Sequence, residues 1–148
     1  MRIVVVSGYF NPIHSGHLDY LEAAKKLGDY LIVIVNNDFQ VSLKGSVPFM
    51  PSDERLRIVA SLSCVDKAVL SDSDDPSVVS TLKKLYEVYS LEYFFESMTF
   101  ANGGDRTEGN SPEEQYCKQQ GIQLSYDCGG GKTNSSSELL EQSKIRNV

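Results

Sequence analysis

The sequence predicts an α/β domain in which a five-stranded parallel sheet carries helices on both faces. Three observations lead there. Residues 3–6 and 31–35 are uninterrupted apolar runs, the pattern of strands covered on both sides. Between them Leu18, Leu21, Ala24 and Leu27 recur at helical spacing, with Asp19, Glu22, Lys25 and Lys26 falling outward. Strand and helix signals then keep alternating to the end of the chain, which is what parallel strands with right-handed crossovers require.

The elements follow in order. Gly28 closes the first helix, and the second strand ends at Asn36-Asn37-Asp38. Residues 38–51 read as a loop because they hold Gly45, Pro48 and Pro51. Ser52 is the expected N-cap of a helix reaching about Leu62, with Asp53 and Glu54 in its first turn. Residues 65–70 give a third strand. Asp75-Pro76 is expected to open a helix that turns Val79, Leu82 and Leu85 inward. A fourth strand is placed at residues 92–96, with Phe100-Ala101 leading into a glycine turn. Ser111-Pro112-Glu113-Glu114 reads as a capping box starting a helix that stops at Gly121. Residues 122–126 make the fifth strand, and a second capping box at Ser135 and Glu138 begins a last short helix. The whole, 1–148, is expected to form one Rossmann-like domain.

Composition narrows the function. The 148 residues carry a formal net charge of −6, which disfavours a nucleic-acid partner that would need a basic footprint. No apolar run approaches the roughly 20 residues of a membrane span, and the start lacks a secretory pattern. Cys64, Cys117 and Cys128 are odd in number and lack CxxC spacing, as in a reduced cytoplasmic protein.

Both histidines lie in one stretch, Gly8-Tyr9-Phe10-Asn11-Pro12-Ile13-His14-Ser15-Gly16-His17, directly after the first strand. A helix starting near His17 presents unpaired backbone N–H groups and the positive end of its dipole, which suits an anion. In a doubly wound sheet the ligand lies beyond the carboxyl ends of the strands, at a switch point. The segments expected there bring Lys44, Arg106 and Lys132, with Arg55 close by. Cations gathered at one edge of an acidic protein suit a small polyanionic ligand. A zinc site would need two ligands beyond the histidine pair, and no cysteine has suitable spacing. Gly129-Gly130-Gly131-Lys132-Thr133 is not a P-loop, since Tyr126 stands where its first glycine belongs.

The Gly8–His17 stretch resembles the GxFxxxHxGH signature of the cytidylyltransferase-like nucleotidyltransferases. Asn134-Ser135-Ser136-Ser137-Glu138-Leu139-Leu140 is similar to their C-terminal serine/threonine-rich signature. Lys26-Leu27-Gly28-Asp29 through Glu54-Arg55, residues 63–70 and Gly103-Gly104-Asp105 also look like this superfamily. The nearest branches are the heptose-phosphate adenylyltransferases and the glycerol- or choline-phosphate cytidylyltransferases, the heptose branch somewhat more so.

The resemblance implies in-line attack by a phosphorylated sugar or polyol on the α-phosphorus of ATP or CTP, releasing pyrophosphate. A heptose-1-phosphate-like acceptor is favoured and glycerol 3-phosphate is second. His14, His17 and Lys44 would be catalytic. Gly8, Tyr9, Phe10, Asn11, Gly16, Gly103, Asp105, Arg106, Ser135, Ser136 and Ser137 would bind nucleotide, and Asp38, Arg55 and Lys132 the acceptor. Mg²⁺ would accompany the triphosphate without a dedicated protein metal site, and the enzyme would be a cytoplasmic homodimer. Two departures stand out. Asn11 replaces the usual aspartate, and Asn102 replaces the lysine that precedes the glycine pair in the heptose branch. Both would suit a nucleotide-binding regulatory module that has lost turnover.

Overall fold

The computed structural model describes residues 1–103, 109 and 111–129. Its five strands are β1 (Arg2–Gly8), β2 (Tyr30–Val35), β3 (Lys67–Leu70), β4 (Ser97–Gly103) and β5 (Gln123–Cys128). All pair in parallel, in the order β3-β2-β1-β4-β5. The chain builds outward from β1 to β3 on one side, then crosses to add β4 and β5 on the other. The switch point therefore lies between β1 and β4.

Two cores explain the apolar runs. Val4, Val6, Leu31, Val33 and Val35 pack on one face with Leu21 and Ala24 of α1 (Ser15–Lys25) and Val59 of α3 (Ser52–Ala60). Ile3, Val5, Ile32 and Ile34 pack on the other with Leu82 and Leu85 of α4 (Val79–Tyr89) and Cys117 of α5 (Pro112–Gln120). Alternate side chains of one strand thus serve both cores, as the expected architecture requires.

Several local expectations needed correction. The fourth strand is Ser97–Gly103, not residues 92–96. Met98 and Phe100 enter the core in strand alternation, whereas Tyr93 is 97% exposed and belongs to a turn. Residues 38–43 are not loop but a short helix, α2 (Asp38–Leu43), capped by Asn37. Ser52 is the first residue of α3 rather than its cap: Pro51 holds the cap position, and the Ser52 N–H donates to Asp38 Oδ2 at 3.1 Å. The helix expected to open at Asp75-Pro76 begins at Val79, because Asp75 Oδ1 instead closes a local turn on the Ser77 N–H. Gly28 does not stop α1, which ends at Lys25. A Cβ there would lie 2.6 Å from the Arg2 carbonyl oxygen, so glycine is needed where the chain passes against β1.

The third and fifth strands begin two residues and one residue later than expected, respectively. The Ser111 cap and the left-handed Gly121 (φ 76°) that closes α5 are as expected. The second capping box lies outside the described residues. No helix among the described residues is long and apolar enough to cross a membrane.

Candidate active site at the end of β1

The histidine loop leaves β1 at Gly8, and its geometry depends on two neighbours. A Cβ on Gly8 would lie 2.8 Å from the Phe10 ring, so glycine lets that ring fold back over the end of the strand. Phe10 itself adopts a left-handed backbone (φ 51°), the only positive φ among the described non-glycine residues, and is 1% exposed. Such conformations persist where surrounding packing imposes them, and they cluster at functional sites. The Phe10 ring then meets His17 edge-on, with centroids 4.9 Å apart.

His14 and His17 are locked by one reciprocal cap. The helix begins at Ser15 rather than near His17, with His14 as N-cap. The Gly16 N–H donates to His14 Nδ1 and the His14 N–H donates to His17 Nδ1, both at 3.1 Å. The rings stack with centroids 3.8 Å apart and planes 23° from parallel. Because each Nδ1 accepts from backbone, each neutral ring carries its proton on Nε2. Two N–H donors are thereby fixed side by side at a helix N-terminus, the arrangement an anionic phosphoryl group needs.

Lys44 reaches the same loop from the C-terminal end of α2. Its Nζ sits 4.4 Å from the Tyr9 ring centroid, a cation–π contact that holds an exposed ammonium beside the histidine loop.

Arg55 is placed differently from its expected role. Instead of meeting an acceptor at the surface it is 1% exposed. Nε donates to Met50 O at 3.0 Å, Nη1 to Tyr9 O and Asn36 O at 2.7 Å each, and Nη2 to Asp38 Oδ1 at 2.8 Å. Four of its five N–H groups are so committed, which removes it from acceptor binding. Asp38 is drawn into the same clamp. Burial raises its pKa, but the Arg55 hydrogen bond, the Ser52 N–H and the Arg55 charge outweigh that and leave it below the usual carboxylate range.

Asn11 is likewise a structural tie. It is 5% exposed, donates from Nδ2 to Val47 O at 3.0 Å and accepts from the Phe49 N–H at 2.6 Å. An amide can do both, whereas an aspartate at this place could only accept. Asn11 thus pins the segment after Lys44 to the histidine loop.

Sequence reasoning missed a second amide lattice. Asn37 Oδ1 accepts from the Gln40 N–H at 2.9 Å, while Gln40 Oε1 accepts from the Asn37 N–H and from Asn36 Nδ2 at 3.0 Å each. Gln40 Nε2 continues to Asp75 O and Ser77 O. Glu114, expected only in the Ser111 capping box, makes further contacts. It is 3% exposed and accepts from the Gly109 N–H at 2.8 Å and the Tyr126 hydroxyl at 3.1 Å. Burial raises its pKa, yet these bonds hold it below the ordinary value. It ties the region beyond β4 to α5.

Gly103 closes β4 against Tyr20, whose ring would lie 2.6 Å from a Cβ there, and the Tyr20 hydroxyl donates to Ala101 O at 2.6 Å. Asp105, Arg106, Lys132, Ser135, Ser136 and Ser137 lie outside the described residues. Among the described residues no group of three or more His, Cys, Asp or Glu side chains could hold a metal ion. The three cysteines are unpaired to one another, and burial, with the charges of Glu113 and Glu114, pushes Cys117 up to about 12, so that thiol is inert.

A family model, cytidylyltransferase-like, matches residues 5–114. The chain belongs to the cytidylyltransferase-like family. An FAD synthase of Ferroglobus placidus is 49% identical over 75 residues, covering 51% of this chain and 49% of that protein. A bifunctional protein HldE of Helicobacter pylori is 36% identical over 118 residues, covering 78% of this chain and 26% of the relative. The chain therefore spans about half the length of the FAD synthases it matches and a quarter of HldE. Among solved structures, a lipopolysaccharide core biosynthesis protein from Thermoplasma volcanium superposes with a TM-score of 0.65 at 27% identity, over 86% of this chain and 94% of that one. In family terms the matched span contains the histidine loop, Lys44 and the Arg55 clamp.

Proposed function

We propose that this member of the family is an adenylyltransferase acting on a phosphorylated polyol, with FMN the first acceptor and a heptose phosphate the second. The observation that carries the reading is the stacked imidazole pair with both Nε2–H groups fixed at the β1–β4 switch point. An oxygen of the acceptor's phosphate attacks the α-phosphorus of ATP, a new P–O bond forms, and the α–β bridging bond breaks. Pyrophosphate leaves with the electron pair. This transfer needs positioning and charge stabilisation rather than a protein nucleophile.

In this reading His14 and His17 donate from Nε2 to the oxygens of the transferring phosphoryl group, and Lys44 supplies positive charge from the α2 side. Gly8, Tyr9, Phe10 and Gly16 shape the loop that carries them. Mg²⁺ would supply neutralising charge to the triphosphate while retaining much of its own water. Gly103 with Asp105, Arg106 and Ser135–Ser137 would complete the nucleotide side, and Lys132 the acceptor side.

Two findings support FMN ahead of a heptose phosphate, the acceptor first favoured by the motifs. The relatives that match at near 50% identity are FAD synthases. Beside Lys44, Phe39, Leu43, Val47 and Phe49 stand exposed on α2 and the segment after it. An apolar rim of that kind suits a flat ring better than a sugar. The longer HldE alignment and the lipopolysaccharide-related neighbour favour the heptose phosphate.

Pyrophosphate release measured for four nucleoside triphosphates against FMN, heptose 1-phosphate and glycerol 3-phosphate tests the proposal. ATP with FMN should release pyrophosphate and yield FAD in equal amount. Turnover only with CTP and glycerol 3-phosphate would move the protein to the cytidylyl branch. ATP binding without release for any acceptor would make it a non-catalytic module.

A further inference from the structure

We propose that Asn102 is a substrate-recognition residue whose side-chain Nδ2 donates to an oxygen of the bound nucleotide or acceptor. This rests on the nucleotidyl-transfer reading and adds a residue to that same site. Asn102 is 5% exposed, and its Nδ2 is a buried nitrogen without a hydrogen-bond partner among the described residues. The side-chain nitrogens of the other buried amides around the site each have a partner. Asn11 donates to Val47 O, Asn36 to Gln40 Oε1, and Gln40 to Asp75 O and Ser77 O. A domain that satisfies those amides and leaves one donor orphaned has a partner for it in another state.

Its position says where that partner comes from. Asn102 is the penultimate residue of β4, two residues beyond the Val5–Phe100 pair, and so stands beside the end of β1 at the switch point. The backbone on either side is immobilised, since Ala101 O takes the Tyr20 hydroxyl and Gly103 is pressed against the Tyr20 ring. Lys44 follows β2 and Asn102 nears the end of β4, the two strands that border β1, from which the histidine loop leaves. An amide offers a donor to a phosphoryl or hydroxyl oxygen without adding charge. The lysine of the heptose branch at this place would add charge, so the exchange is suited to changing which substrate is preferred.

The test uses the full chain with Asn102→Leu and Asn102→Asp. Calorimetric titrations are run with ATP and Mg²⁺, with FMN, and with glycerol 3-phosphate, alongside ligand-free melting curves. Asn102→Leu should melt at or above the wild-type temperature, because it removes an unsatisfied donor. Its affinity for the ligand that meets Nδ2 should fall about 3–10-fold. A loss confined to ATP assigns the oxygen to the nucleotide, and a loss confined to a phosphate monoester assigns it to the acceptor. Asn102→Asp should lose more than about 10-fold for the same ligand, since a carboxylate replaces the donor.

Wild-type affinity of Asn102→Leu for all three probes overturns the proposal, whatever its melting temperature. A lowered melting temperature with unchanged affinities marks a structural residue instead. Wild-type protein that binds ATP but releases no pyrophosphate ends the transfer reading and leaves Asn102 judged by binding. Wild-type turnover matched by Asn102→Leu ends this inference alone. Wild-type protein that binds none of the probes ends both.

Discussion

Replacing Arg55 by methionine keeps the stem of the side chain and deletes the fork that joins four segments. Three carbonyl oxygens, of Met50, Tyr9 and Asn36, and one carboxylate oxygen of Asp38 lose their donor. Hydrogen bonds to charged groups are each worth about 1.5–3 kcal/mol, so four taken separately would suggest roughly 6–12 kcal/mol. That sum overstates the loss. Burying the guanidinium itself costs several kcal/mol, which its deletion returns, and the Asp38 side chain is 42% exposed and can be rehydrated. Breaking a buried ion pair by removing one partner costs about 3–5 kcal/mol, and that range is the expected result.

At about 2–4 °C per kcal/mol for a chain of this size, the melting temperature of Arg55→Met should fall by roughly 6–20 °C in differential scanning calorimetry. Arg55→Lys should recover little, because an ammonium cannot reproduce the fork that spans Tyr9 O, Asn36 O and Asp38. Below the transition, the variant should also show reduced turnover, since Tyr9 lies in the histidine loop. A shift smaller than about 3 °C would refute the clamp and return Arg55 to the pool of substrate-binding candidates.

Three further outcomes follow from the same geometry. Asp38 has a folded pKa below its unfolded value, so its contribution is present above about pH 4 and is lost as pH falls through the folded value. The melting-temperature gap between wild type and Asp38→Asn should accordingly be widest near neutrality and close in acid, and a gap that widens in acid would contradict the pairing. His17→Ala should lower kcat by about 10²–10³, or ~3–4 kcal/mol, with little change in ATP affinity by titration. His17→Asn, which keeps an acceptor for the His14 N–H, should be equally slow but more stable. Gly8→Ala drives a Cβ to 2.8 Å from the Phe10 ring, which abuts His17. Its kcat should fall by about 10- to 100-fold through misplacement of the imidazole, while unaltered kinetics would show that the ring can yield without moving His17.

Much of the fold was legible because its signals are local. Two-faced apolar strands, the helical spacing of Leu18 to Ala24 and the Ser111 cap with Gly121 each announce themselves within a few residues. The fourth strand misled because Tyr93, Phe94 and Phe95 have the stronger strand preference. What decided the matter was pairing of Ser97–Phe100 with β1, a contact nearly a hundred residues away in the chain. α2 was readable in principle: Asn37 and Gln40 have capping-box spacing, but Gly45 and the two prolines drew the whole stretch into a loop. The histidine stretch is legible as a motif, while the burial of Arg55 is not. Whether an arginine meets solvent or three carbonyls depends on the fold around it, and the first-turn position of Arg55 does not say which.

The corrections share a cause that bears on catalysis. Asn11 and Arg55 were expected to meet ligand, yet with Asn37 and Gln40 they tie backbone of one segment to another, and Asn36 braces the Gln40 side chain. Together they hold the histidine loop, the end of β2, the segment after Lys44 and the approach to α4. A phosphoryl-transfer site gains rate from donors that are already in place when charge develops, and loops cannot supply that unless something other than secondary structure fixes them. Here neutral amides and one buried guanidinium do so. The histidine pair is recognisable within ten residues, and polar residues between 36 and 55 hold those ten in place.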